Sequence, residues 1–223
     1  AAVGSYFTTR KQIHQANDFN FHPVQEVAIL FVGIFATMMP ALHWLQLNAG
    51  KLGTPTPSFF FWGSGILSSV LDNAPTYLSF LSAIFGAFID KDVVQQVEHL
   101  IQTGGADLAS FVHGPHADQV KATWEALQKY HSAQIAAKTV SVEEIDIAFL
   151  LGNTAFNKFI LAISVGAVFF GANTYIGNGP NFMVKAIAEQ QKVHTPTFVG
   201  YVVRFALPFM LPMIGLVWFL FFR

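Results

Sequence analysis

Two apolar stretches of this chain are interrupted at mid-length by the same kind of sequence. Residues 58–89 read SFFFWGSGILSSVL, then DNAP, then TYLSFLSAIFGAFI. Residues 159–190 read FILAISVGAVFFGA, then NTYIGNGPN, then FMVKAIAEQ. Proline lacks an N–H and disfavours helix in the residue before it, so a helical period is expected to break at Asp72–Pro75 and again at Asn173–Asn181. An apolar piece of about 14 residues spans about 21 Å as a helix, short of a bilayer core of about 30 Å. The breaks are therefore expected at membrane depth and close to one another, where lipid cannot satisfy open backbone groups and only protein or water can.

Composition supports a membrane chain. Hydrophobic residues make up 53% of the 223 residues and charged residues 11%, against roughly 25% charged in soluble domains. The formal net charge of -1 gives no basic face for nucleic acid. The absence of cysteine excludes disulfide frameworks, cysteine nucleophiles and thiolate metal sites. No nucleophile–base set or phosphate-cradling loop appears, so an enzyme is not favoured.

Four regions follow. Residues 1–23 read as the end of a preceding helix with a basic exit at Arg10 and Lys11, followed by a loop. Residues 24–89 hold a scaffold helix, from about Val24 to Leu47 with a kink at Pro40, and the first broken segment. Residues 90–146 form a polar stretch with nine of the 13 acidic residues. There Val93, Val94, Val97, Leu100 and Ile101 fall at helical spacing, and 117–138 reads as a second surface helix. His113 and His116 make a weak metal pair without an acidic or cysteine partner at ligand spacing, so no metal site is expected. Residues 147–223 hold the second broken segment, entering near Ile147, and a C-terminal transmembrane helix from Phe198 to Phe222 with Arg204, Pro208 and Pro212. The expected fold is thus all-α, with transmembrane helices, a re-entrant or broken hairpin and a second broken helix.

Helix ends inside a membrane protein carry chemistry. N-terminal ends attract anions, and C-terminal ends offer carbonyl oxygens to cations. Transporters build ion and substrate sites from paired broken helices in this way. The candidate binding residues are Asp72, Asn73 and Thr76 at the first break, and Asn173, Thr174, Asn178 and Asn181 at the second. Asp72 adds a charge that is costly within a membrane, although it would also serve as a plain helix cap. Lys185, about one turn past the second break, is a possible charge partner for Asp72. Lys158 reads as snorkelling, and Arg204 as snorkelling or pairing with Glu189.

The runs SSVLDNAPTYLSFL and GANTYIGNGPNFMVKAIAE resemble the C-terminal half of the citrate-transporter and sodium/proton-antiporter group within the ion-transporter superfamily. The run HPVQEVAILFVGIFATMMPAL looks like the helix that opens that half. The resemblance covers most of the chain outside Asp90–Asp146. It implies one half of an inverted-repeat transporter, whose N-terminal half is a missing partner, assembled as a homodimer in a lipid bilayer such as a bacterial inner membrane. In the carboxylate branch a Ser-Asn-Thr motif lies at the hairpin tips. Asn73 and Thr76 are its nearest matches here, and Asp72 stands where the serine would be. Three functions stay open: sodium/proton antiport, cation-coupled transport of citrate or a similar carboxylate, and a non-transporting subunit or channel with structural breaks. No cofactor is expected beyond a coupling ion, Na+ or H+.

Overall fold

A long apolar helix runs through α2, His22–Asn48, with Pro40 inside it, after a short α1, Lys11–Ala16. The computed structural model describes residues 4, 7–16, 22–53, 55–111, 114 and 116–223. Most of the N-terminal run read as the end of a helix lies outside them. Every described element is helical. At 1.5 Å per residue, the 27 residues of α2 extend about 40 Å. Ile29, Val32 and Met39 along it are exposed.

Both interruptions read from the sequence are present. Helix α3, Pro57–Ser68, stops before Ser69–Asp72, and α4, Asn73–Phe88, follows. Helix α10, Asn157–Gly171, stops before 172–178, and α11, Gly179–Gln190, follows. Each break sits a few residues earlier than the prolines suggest. Pro75 and Pro180 lie inside the first turns of α4 and α11, where a missing N–H costs nothing because those groups have no intrahelical partner. The proline thus marks where a helix resumes, and the small polar residues before it form the gap.

Helices α3 and α10 pack along their length, and α10 also touches α4. Aromatic rings fill this junction. Phe60 is fully buried and meets Phe159 edge-on with centroids 5.5 Å apart, and Phe61 meets Phe170 likewise at 5.6 Å. Gly166 permits the approach, since a Cβ there would lie 2.6 Å from the carbonyl oxygen of Phe61.

The polar stretch forms its own helical layer. In α5, Lys91–Thr103, all five residues read as its apolar face are buried. The surface helix read over 117–138 is two helices, α7, Ala117–Tyr130, and α8, Ser132–Ala137, parted at His131. Between α5 and α7 lies the single-turn α6, Leu108–Phe111.

The segment expected to enter the membrane near Ile147 is also two helices. A reciprocal Ser141–Glu144 capping box starts α9, Val142–Gly152. Asn153 closes it by donating its side-chain amide to the Phe149 carbonyl at 2.7 Å. The chain then turns by 104° into α10. Helix α9 packs on α7 and α5, with the polar layer. Among the described residues one continuous helix is long and apolar enough to cross a membrane, α12, Phe198–Phe221. It includes a π-helical stretch, Val202–Met210, around Pro208. Only 11% of its most apolar window is buried, unlike the core helix of a soluble protein.

Candidate functional site at two facing helix breaks

The two breaks meet through Asp72. It is the N-cap of α4, where one carboxylate oxygen accepts the Ala74 N–H at 3.5 Å. Its other oxygen accepts the N–H of Gly179, the first residue of α11, at 3.1 Å. Asn178 occupies the N-cap position of α11 but makes no side-chain cap bond. Asp72 therefore supplies the cap for both helices, and the partial positive ends of two helices converge on one carboxylate. Phe31 of α2 packs over the same point, its ring 3.7 Å from where a Gly179 Cβ would lie.

The backbone around this point allows no bulk. A Cβ on Gly177 would lie 2.4 Å from the Ser68 carbonyl oxygen, and one on Gly171 would lie 2.8 Å from that of Gly177. Residues from the two breaks then bond across. Asn173 donates to Ser69 Oγ at 3.2 Å, and Thr174 donates to the Ser69 carbonyl. Thr174 Oγ1 in turn accepts the Gly177 N–H at 3.0 Å.

Helix C-termini were expected to offer carbonyl oxygens to a cation. Here hydroxyls engage them. Ser68 donates to the Ala167 carbonyl at 2.6 Å, Ser69 to the Phe170 carbonyl at 3.1 Å, and Tyr201 of α12 to the Ala172 carbonyl at 3.0 Å. Ser68, Ser69 and Tyr201 were not singled out from the sequence. The signal for the serines was present in SSVLDNAP, a pair of small hydroxyl residues placed just ahead of the gap.

The seven candidate residues divide by role. Asn173 and Thr174 tie the breaks together, and buried Thr76 donates back to the Asp72 carbonyl at 3.0 Å. Their polar atoms already serve the scaffold. The amides of Asn73 and Asn181 are half-buried and make no side-chain hydrogen bond among the described residues. Asn178 Oδ1 is buried and likewise has no partner among them. An ionisable carboxylate with neutral amide oxygens nearby is the ligand type that hard cations take.

Lys185 is not the charge partner of Asp72. It pairs one helical turn on with Glu189, and its ammonium lies 5.4 Å from the Tyr175 ring centroid. The i,i+4 pairing is the nearer and less costly contact on an exposed helix face. Thr195 also donates to Glu189, at 2.8 Å, so Arg204 does not take that carboxylate. Lys158 is exposed, as its snorkelling reading requires. In the polar layer His116 pairs with Asp90 at 3.5 Å, while His113 lies outside the described residues.

Residues 1–222 match the model of the protein family described as "Putative citrate transport". The chain belongs to that family. No curated protein and no solved structure matches it. Membership makes the chain a transporter polypeptide of a membrane. That accounts for the large apolar side chains exposed on α2 and α12, which water would penalise and lipid accepts. It also fits the gaps in the two broken helices, whose irregular backbone is enclosed by protein.

Proposed function

We propose that the chain carries the coupling-ion site of a cation-coupled citrate transporter, with Asp72 as the carboxylate that exchanges Na+ and H+. One observation carries this reading: Asp72 stands between two helix N-termini as the single charged group where both breaks meet. The paired N-termini favour its charged form, and a cation approaching the carboxylate completes the charge balance. Asn178 Oδ1, buried and unengaged, is the nearest neutral candidate for a ligand on the second break. The family description supplies citrate as the cargo.

A second reading, sodium/proton antiport without an organic anion, has its own support. The N-termini that would otherwise hold a substrate carboxylate are capped by the protein's own. One assay separates the two. Full-length protein in proteoliposomes is given a Na+ gradient, and labelled citrate uptake and proton release are followed in parallel. Sodium-driven citrate uptake supports the first reading. Proton release on adding Na+ or Li+, with no citrate uptake, supports the second. Neither flux would leave the breaks with a structural role only.

A further inference from the structure

A carboxylate that the ion site does not use lies at the other end of α4. Asp146 of α9 is only 5% exposed. No hydrogen bond or ion pair reaches its side chain among the described residues. It lines a cavity of about 500 Å³ together with His43 and Gln46 of α2, Phe85 and Gly86 of α4, and Lys91 and Gln95 of α5. This cavity is separate from the breaks. Asp72 caps the first turn of α4 whereas Phe85 is in its last turn, about 20 Å along the helix axis.

A buried, unpaired carboxylate is costly when charged and tolerable when protonated. We propose that this cavity is a second proton-binding site, with Asp146 as the proton acceptor and Lys91 and His43 as the cationic groups that share the cavity with its charged form. Charges around Asp146 favour uptake on one side and oppose it on the other. Glu143 on its own helix and Glu98 on α5 raise its affinity for a proton. Lys91 on α5 and a protonated His43 on α2 act against it. Helix α4 brings only Phe85, Gly86 and Ile89 to the cavity. On the α7 side the nearby titratable pair, His131 with Glu144 at 3.4 Å, is already matched. Burial, with smaller contributions from Glu143 and Glu98, moves Asp146 up to about 6, near the pH range in which a membrane transporter works.

The site also has a mechanical setting. A Cβ on Gly86 would lie 1.9 Å from the Gln46 carbonyl oxygen, so α2 and α4 touch backbone to backbone at the cavity wall. Charging Asp146 therefore places an unpaired anion where α9 of the polar layer faces the ends of α2 and α4.

Infrared difference spectra of the full-length protein in lipid nanodiscs test this without relying on transport. The pH is lowered from about 8 to about 4, across the range expected for buried and ordinary aspartates. The wild type should form a carboxylic acid with a midpoint near 6, and Asp146→Asn should remove that component. Glu143→Gln, an exposed change that leaves folding intact, should move the midpoint to lower pH. A component that persists in Asp146→Asn, or a midpoint that Glu143→Gln leaves in place, overturns the proposal. So does a wild-type protein whose aspartates all titrate at the ordinary aspartate value.

Discussion

The carboxylate of Asp72 accepts the backbone N–H of Gly179 at 3.1 Å, joining the two helix breaks across 107 residues of sequence. Each break alone is a local event of proline and small polar residues. The contact makes them one site, because the ends of α4 and α11 then share a single charge.

That shared charge gives the first prediction. Asp72→Asn keeps the size and the capping ability of the side chain and removes its charge. The variant is expected to fold, with thermal stability within about 1 kcal/mol of wild type by the usual spread among capping residues, and to lose cation-coupled flux. Flux against Na+ concentration and pH in the full-length protein checks it. A wild-type curve would leave Asp72 as a cap alone.

The closeness of the breaks gives the second. Gly177→Ala forces a Cβ to within 2.4 Å of a backbone oxygen, that of Ser68, which cannot rotate away as a side chain can. The expected cost is about 1–3 kcal/mol, as for other overpacked sites. Gly33→Ala, on α2 with nothing within 4 Å, is the control and should be neutral or slightly stabilising. Thermal unfolding of both in detergent decides the matter. Equal melting temperatures would mean that the breaks are not packed against one another.

Much of this arrangement was legible in the sequence because proline and half-length apolar runs act locally. The two gaps, the apolar face of α5 and the long C-terminal helix all follow from spacing within a few turns. What was not legible depends on partners distant in sequence. Nothing in DNAP reveals that Asp72 also caps a helix 107 residues away, or that Ser68 and Ser69 cover carbonyls of α10. Lys185 was read toward Asp72 because both flank breaks, and the neighbour one turn along, Glu189, took it instead. The turn between α9 and α10 was missed for a different reason. Its apolar content is continuous across Gly152 and Asn153, and only the capping box at Ser141–Glu144 signals a separate helix.

The third prediction follows from Asp146. Its value in the folded protein is raised to about 6, so the charged form is disfavoured on folding. The penalty is absent below the ordinary aspartate value, grows as the pH rises through the interval up to about 6, and is constant above it. Wild type should therefore lose stability relative to Asp146→Asn across that interval, by about 3 kcal/mol at most on the linkage scale. Melting temperatures of both proteins from acid to neutral pH check it. A constant gap between the two would mean that Asp146 does not titrate in that window.

The fourth prediction separates stability from ion binding at one atom. Asn178 Oδ1 is buried and has no hydrogen-bond partner among the described residues. A buried acceptor left unpaired costs about 1–3 kcal/mol. The side chain makes no cap bond to α11 either, so its removal forfeits no helix cap. Asn178→Ala should therefore leave thermal stability unchanged or raise it when no ion is present. If that oxygen belongs to the cation site beside Asp72, the same variant should weaken apparent Na+ affinity by about tenfold, the effect of losing roughly 1.4 kcal/mol of binding. It should also lose the stabilisation that Na+ confers on wild type, since a ligand stabilises only the state that binds it. Melting temperatures with and without Na+, beside flux at graded Na+ concentration, provide the measurement. A drop in stability without Na+ would make Asn178 a packing residue, and an unchanged Na+ response would take its oxygen out of the site and leave Asp72 with Asn73 and Asn181.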